Sequence, residues 1–580
     1  MITRHTRSFV LCFCFLLSAA IHLVGGDNNN FLNDRRQPHI VFVIADDLGW
    51  NDVGFHGSNQ IRTPNIDALA YDGIVLNRHY SQSLCTPSRA ALLTGKYPIR
   101  TGMQHNVILE PEPWGLPLRE TLLPERLRDL GYTCRAVGKW HLGFHKKAYT
   151  PTYRGFQSFY GLWNGHQDYY THTVQATFAS FEGFDMRRDL QPDWSSAGKY
   201  STHLFTEEAV DIIHGHNSTA GPLFLYVAHL APHAGPYADP LQAPPEVISQ
   251  FDYIKDKNRQ KYAAMVKALD DSVGKIVDTL RAKEMLDNTV LVFVSDNGAP
   301  TNGMHRNHGS NWPLKGEKGT PWEGAVRTAA FVWSRLLSNR RRVSRGLMHI
   351  TDWMPTLYRA AGGDPEELDI DGIDMWDLWA NGASDGKWPR KHLVQNIDDV
   401  SGYSAIRDSN YKYINGSTFL GFLDYWSGEP DESNGDNYRY EDAVLNSTVG
   451  RILLSSDVGN DRVAHGRLLS PATIRNLREE SRVKCGHFRK EARPCLPLKK
   501  PCLFNVEKDP CELVNLNFGP DDKTGKLVRA KIQHFERLLQ EYRRTALVPP
   551  GNRRAAGKAA DPRLHNGTWS SWEDQDQQIY

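Results

Sequence analysis

Charge imbalance is the first thing this chain lacks. Its 68 Lys and Arg offset 67 Asp and Glu, a formal net charge of +1. No global field therefore draws it to nucleic acid or to an anionic membrane surface. Apolar runs of membrane-spanning length are lacking too. Phe9 to Ala20 is apolar but short for a bilayer span, and no later stretch is apolar enough. Arg4 and Arg7 precede that run and Gly25 and Gly26 come after it, the flanks of a secretory signal peptide over residues 1–26. A retained anchor is the alternative reading. Internal repeats are absent as well.

Cysteine is scarce, with eight in 580 residues. Cys12 and Cys14 lie in the leader. Cys485, Cys495, Cys502 and Cys511 suit two disulfides in an oxidising compartment, with all three pairings open. Their spacing is not that of a zinc site. Cys134 is left as a buried thiol. Entry into the secretory pathway also fits the Asn-x-Ser/Thr triplets at Asn217, Asn415, Asn446 and Asn566, candidate glycan acceptors.

Strand and helix patterns alternate along the first two-thirds of the chain. His39 to Ala45, Thr133 to Val137, Leu223 to Ala228 and Val290 to Val294 read as buried parallel strands. Leu122 to Leu130, Thr206 to His214 and Lys261 to Lys283 read as helices. This is an α/β pattern. Phe144 to Ser201 has little periodicity and many aromatics and glycines, and reads as a loop-rich stretch that lines a pocket. From about His392 the strands shorten and the loops gain Asn, Asp and Gly. The expected layout is a large domain over 38–391, a smaller α+β domain over 392–547 and a polar tail over 548–580, disordered or draped on the surface.

Polar residues cluster at the strand ends, where open α/β sheets bind ligands. Asp46 and Asp47 close the first strand, and Asp296 and Asn297 the last. Hard oxygen donors of this kind suit Ca2+ or Mg2+. Lys139 and His141 are two apart, so on extended backbone they share a face. Cys85-Thr-Pro-Ser-Arg-Ala-Ala-Leu-Leu-Thr-Gly-Lys carries Pro87 in the first turn of a helix and a stop at Gly95. Cys85 then sits at a helix N-terminus, where the dipole lowers a thiol's pKa, and Arg89 lies one turn on.

Cys85-x-Pro-Ser-Arg with Leu93-Thr-Gly, the Gly131 to His141 segment, Ala45-Asp-Asp-Leu-Gly and Ser295-Asp-Asn-Gly together resemble the signatures of the formylglycine-dependent sulfatases. The resemblance runs from about Pro38 through the second domain. It is nearest the branch of arylsulfatase B, the N-acetylgalactosamine-4-sulfatase, and arylsulfatases I and J. It implies an alkaline-phosphatase-like large domain with a mixed, mostly parallel sheet. It implies one Ca2+ on Asp46, Asp47, Asp296, Asn297 and the converted Cys85. Lys318 matches a sulfate-binding lysine and His233 a histidine near the leaving oxygen. Lys315 is then a solvated neighbour and His229 structural.

The implied reaction is sulfate ester hydrolysis through a formylglycine gem-diol and a covalent sulfo-enzyme. Arg89 favours the attacking alkoxide, Lys139 and Lys318 clamp the sulfate, His233 protonates the leaving oxygen and His141 takes a proton from the second hydroxyl. The implied partners are a sulfated glycan, with the 4-sulfate of N-acetylgalactosamine in dermatan or chondroitin sulfate first, and a formylglycine-generating enzyme during maturation. The implied compartment is the lysosome, with secretion or the endoplasmic reticulum as alternatives. Two departures stand out. Cys134 replaces the usual Ser or Thr, and Glu110 to Leu118 lacks the cysteine pair of arylsulfatase B. A phosphodiesterase or phosphonate hydrolase on the same fold, and a silent glycan-binding protein, are the other readings. Basic loops at Arg340, Arg341, Arg342 and Arg345, and at Arg489, Lys490, Lys499 and Lys500, are glycan contacts or ordinary solvated charge. Trp312 and Trp322 stack on sugar or pack in the core.

Overall fold

The computed structural model describes residues 37–577 except 382–387, 429–437, 457–468, 487–491, 519–524 and 551–556. The signal peptide expected over 1–26, and Arg489 and Lys490, lie outside the described residues.

Ten strands form one large sheet: β1 (His39–Ala45), β2 (Ile74–Leu76), β3 (Thr133–Lys139), β4 (Ser158–Leu162), β5 (Arg187–Arg188), β6 (Gln191–Pro192), β7 (Leu223–Ala228), β8 (Thr289–Ser295), β9 (Ala330–Trp333) and β10 (Arg342–Ser344). Their order is β10-β2-β9-β8-β1-β7-β3-β4-β5-β6. The central run β8-β1-β7-β3-β4 is parallel throughout. Antiparallel partners flank it, β9 on β8 and β5 on β4.

All seven residues of β1 are buried, as a strand covered on both faces must be. Alternation along the strand divides them. Ile40, Phe42 and Ile44 enter one core together with Ala90 to Leu93 of helix α1 (Cys85–Thr94). Val41, Val43 and Ala45 enter the other, covered by α2 (Ser201–Gly215) and the long α3 (Lys257–Ala282). Asp256 caps α3 by accepting from the Asn258 and Arg259 N–H groups.

Register sets where the site forms. Ala45 pairs with Ser295, Ile44 with Ala228, and Ala228 with Gly138. The carboxyl ends of β8, β1, β7 and β3 are therefore level, and the loops leaving these strands emerge along one edge.

A separate antiparallel sheet holds β11 (His392–Asp398), β12 (Tyr403–Asp408), β13 (Tyr411–Asn415) and β14 (Cys502–Asn505). Helix α4 (Lys526–Arg543) packs Phe535 and Leu539 against its Val394, Ile406 and Tyr413. The disulfides are Cys485–Cys511 and Cys495–Cys502, and Cys134 is a free buried thiol. No helix of the described residues is long and apolar enough to cross a membrane.

Three expectations need correction. Ser158–Leu162 is a full sheet strand inside the stretch read as loop-rich, where no strand is expected. Its Gly161 (φ +154°) lies so close to β3 that a Cβ would stand 2.0 Å from the Gly138 carbonyl oxygen, and this glycine dilutes the apolar signal. The tail is not merely a polar surface strand. Trp569 is fully buried against Phe144, its indole N–H donates to the Val174 carbonyl at 3.1 Å, and Trp572 packs beside it. Backbone hydrogen bonds add to this anchor, from the Phe184 N–H to the Gly567 carbonyl at 2.9 Å and from the Glu573 N–H to the His145 carbonyl at 3.1 Å. Finally, Arg340 and Arg341 are buried rather than solvated, because Asp72 pairs with both.

Candidate active site

The level strand ends converge on the N-terminus of α1. Asp46 and Asp47 leave β1, with Asp47 in the left-handed region (φ 64°). Asp296 leaves β8, its N–H donating to the Ala45 carbonyl at 3.1 Å. Lys139 is the last residue of β3. The loop after β7 carries His233 and is tied in by the Asp46 N–H to the Ala231 carbonyl, 3.2 Å. Cys85 opens α1, and Gly95 (φ 69°) ends it with an N–H to the Ala91 carbonyl. The Cys85 sulfur lies 3.6 Å from Asp46 Oδ1. One donor atom each from Asp46, Asp47, Cys85 and His233 falls within 4.8 Å of the others.

Three cations close on these carboxylates. Arg89 holds Asp296 Oδ2 from Nε (3.2 Å) and Nη2 (2.9 Å), and Nη1 donates to the Lys139 carbonyl at 3.1 Å. Lys139 Nζ lies 2.5 Å from Asp46 Oδ2, and Lys318 Nζ 2.7 Å from Asp47 Oδ1. Burial works against charge on Arg89 and Lys318, but Asp296 and Asp46 for the former, and Asp47 for the latter, raise their pKa values above the ordinary ones. The Lys318 loop is fixed beside Cys85 by Gly319 N–H to the Ser83 carbonyl, 2.8 Å.

The residues fit a hard divalent ion. Burial and then the like charge of Asp46 push Asp296 up to about 6, against the pull of Arg89, Lys139 and Lys318. Asn297 donates from Nδ2 to Asp47 Oδ1 at 2.6 Å, while its Oδ1 is buried without a hydrogen-bond partner among the described residues. An all-oxygen set with an orphaned amide oxygen suits Ca2+ or Mg2+.

The histidines divide by tautomer. His141 Nε2 donates to the Ile108 carbonyl at 2.9 Å, which leaves Nδ1 a bare, buried acceptor. His233 donates from Nδ1 to the Ala234 carbonyl at 2.6 Å and turns Nε2 toward Asp47 Oδ2, 3.5 Å away. Burial, then Lys318 and Lys139, hold the His233 pKa well below its ordinary value. His229 is a buried core residue bonded to Ser272, as expected of a structural histidine.

Two expectations about this region fail. Burial pushes the Cys85 thiol up to about 12 against the pull of Lys139 and Lys318, so the helix dipole does not make it a reactive thiolate. Lys315 is buried, its ammonium 3.5 Å from the Trp322 ring centroid and 4.8 Å from that of Trp426. Trp322 is a fully buried core residue against Phe504, whereas Trp312 is half-buried.

Other participants gave no signal in the sequence. Asn307 Nδ2 donates to the Asp47 carbonyl at 3.0 Å. Glu317, next to Lys318, accepts from Tyr425 (2.8 Å), from the Gly303 N–H (3.1 Å) and from Thr301. His166 and His305 stand beside His233, with ring centroids 6.3 and 5.3 Å from it.

Residues 38–363 match the sulfatase family model. The chain is 35% identical to mouse arylsulfatase J over 560 residues, covering 92% of this chain and 80% of that protein. It is 33% identical to human N-acetylgalactosamine-6-sulfatase over 361 residues, 58% of this chain and 65% of that protein. Among solved structures, Ps i-CgsB in complex with k-i-k-neocarrahexaose aligns with a TM-score of 0.66 at 25% identity, covering 92% of this chain and 98% of that one. The chain belongs to the sulfatase family. It is a sulfuric ester hydrolase.

Proposed function

We propose that this protein removes sulfate from a sulfated glycan, with the 4-sulfate of N-acetylgalactosamine in dermatan or chondroitin sulfate as first substrate. The observation that carries the reading is Cys85 beside Asp46, with Lys139 and Lys318 held on the neighbouring carboxylates. The 6-sulfate of the same sugar is the second reading, favoured by the name of the N-acetylgalactosamine-6-sulfatase relatives.

Asp46, Asp47, Asp296 and Asn297 would hold one Ca2+, which supplies charge for a sulfate oxygen and for the nucleophile. Formylglycine, made from Cys85 by a formylglycine-generating enzyme, would supply a hydrated aldehyde whose hydroxyl attacks sulfur. Arg89 fixes the Asp296 carboxylate and the end of β3, so these groups are preorganised. Lys139 and Lys318 bring ammonium groups to the sulfate oxygens. His233, once protonated, donates from Nε2 to the departing sugar oxygen, while Nδ1 stays anchored on Ala234. His141 accepts a proton at its bare Nδ1.

The four sequon asparagines, Asn217, Asn415, Asn446 and Asn566, are exposed, which supports glycosylation in the secretory pathway. The lysosome is the first destination proposed, with secretion or the endoplasmic reticulum as alternatives.

The test is sulfate release from defined N-acetylgalactosamine 4- and 6-sulfates and from an aryl sulfate, beside an aryl phosphodiester, using wild type and Cys85→Ser. Mass spectrometry of the Cys85 peptide accompanies it. Sulfate release by wild type with formylglycine at position 85 is expected. Turnover of the phosphodiester alone, or an unmodified thiol in active enzyme, overturns the reading.

A further inference from the structure

His166 and His305, the ring neighbours of His233, line a cleft of about 1160 Å³ together with Tyr237, Arg306 and His308. The residues lining it include no Asp or Glu. Tyr237 is almost fully exposed at its edge, an aromatic face open to a sugar ring. Arg306 is exposed and makes no ion pair among the described residues.

One wall of the cleft is conformationally strained. His305 (φ 70°), Arg306 (φ 38°) and His308 (φ 59°) all occupy the left-handed region, within four residues and with no glycine among them. Such backbone is costly and persists only where its surroundings dictate it. Here they do. Asn307 bonds the Asp47 carbonyl, the His308 N–H bonds the Thr301 carbonyl at 3.0 Å, and Glu317 holds Thr301 and Gly303 from the other side. The loop is therefore pinned to the backbone of Asp47 and to the neighbour of Lys318. Opposite, Glu110 orders the second wall by accepting from the Thr177 N–H at 3.0 Å, and lies 3.7 Å from His166 Nδ1.

We propose that His305 and Arg306 bind a second anionic group of the substrate, a carboxylate or sulfate on the sugar unit beside the ester under attack, and so select polyanionic glycans over simple sulfate esters. The proposal rests on the glycan reading above. The His305 ring lies 5.3 Å from that of His233, which places the second anion next to the leaving oxygen. An exposed guanidinium presented by a loop pinned in this way is suited to carboxylate and sulfate alike.

The experiment compares kcat/KM of the formylglycine-loaded full chain with that of Arg306→Ala, His305→Ala and Arg306→Lys. The substrates are a uronate-bearing sulfated disaccharide, a disulfated hexosamine, a monosulfated N-acetylgalactosamine and an aryl sulfate. The ratio of kcat/KM for the anion-bearing sugars to that for the aryl sulfate is expected to fall about tenfold or more in Arg306→Ala, mostly through KM, with partial recovery in Arg306→Lys. The uronate and disulfate arms identify which anion is bound. An unchanged ratio, or an equal loss on every substrate, overturns the assignment. Wild type that cleaves the aryl sulfate and none of the sugars removes the glycan reading itself. Wild type that cleaves the sugars while the variants keep its ratio removes only the anion site.

Discussion

Arg89 and Asp296 stand 207 residues apart in the chain and meet through two guanidinium–carboxylate hydrogen bonds of 3.2 and 2.9 Å, both side chains excluded from solvent. Truncating one partner leaves the other charged and buried. Arg89→Ala is expected to cost about 3–5 kcal/mol of stability and to abolish turnover. Urea denaturation checks the first effect. A loss below about 1 kcal/mol would show that water or a shift of Lys139 replaces the guanidinium.

Cys85→Ser swaps a buried thiol for a hydroxyl of similar size, so folding is expected to survive. Turnover is expected to fall by at least about a thousandfold, since no hydrated aldehyde can form. Thermal melts and sulfate release separate the two effects. Normal hydrolysis by the serine variant would contradict the assigned nucleophile.

Chelation is expected to remove activity, and added Ca2+ to restore it. Stability should move with it, because an ion relieves the crowding of Asp46, Asp47 and Asp296. Ca2+ at a hundred times its dissociation constant adds about 2.7 kcal/mol. The readout independent of turnover is the melting temperature of chelated protein titrated with Ca2+. A midpoint that ignores the metal argues against the site.

The contribution of three buried acids to stability should be greater at pH 5 than at pH 8, opposite in sign to that of the buried histidines, whose lowered pKa values destabilise the fold as pH falls. Burial raises Asp67 to about 8, Asp270 to about 7 and Glu512 to about 7. Glu512 shares Lys412 with Glu323. Burial would raise Glu323 too, but Lys412, Arg407 and Arg327 hold it down at about 2, so Glu512 keeps the proton. Each raised acid binds its proton more tightly folded than unfolded. Its stabilising contribution is complete below the unfolded value near 4 and is lost as pH rises through 7 to 8. Melting across that range tests the slope, and Asp67→Asn, which mimics the protonated acid, should remove the Asp67 share of it. A difference in melting temperature between wild type and Asp67→Asn that does not change from pH 5 to 8 would contradict this assignment.

Trp569→Ala is expected to cost about 3–5 kcal/mol, the range for emptying a buried tryptophan pocket, and to expose residues 557–577 to proteases. A cost near zero would mean that the tail contributes nothing to the fold.

Much of the site could be read from local chemistry. Gly95 and Pro87 bound a helix wherever they occur in such a run, so Cys85 had to open α1. The solid apolar stretch of β1 had to lie in a sheet covered on both faces, with Asp46 and Asp47 at its end. Ser158–Leu162 was hidden because Gly161 trades side chain for close approach to β3. Trp569 was hidden because two large residues in a polar tail carry no periodicity.

The sequence by itself determined which groups are present and which strand end or helix start each occupies, because turn chemistry and apolar spacing act over a few residues. Only the tertiary structure decided their states. Burial depth reversed the expected shift at Cys85 and took Lys315 out of solvent. Strand register brought Asp46, Asp296 and Lys139 to one level. A strained loop tied to Asp47 set His305 beside His233. Desolvation and long-range register are sums over the whole packed molecule, and no local stretch contains them.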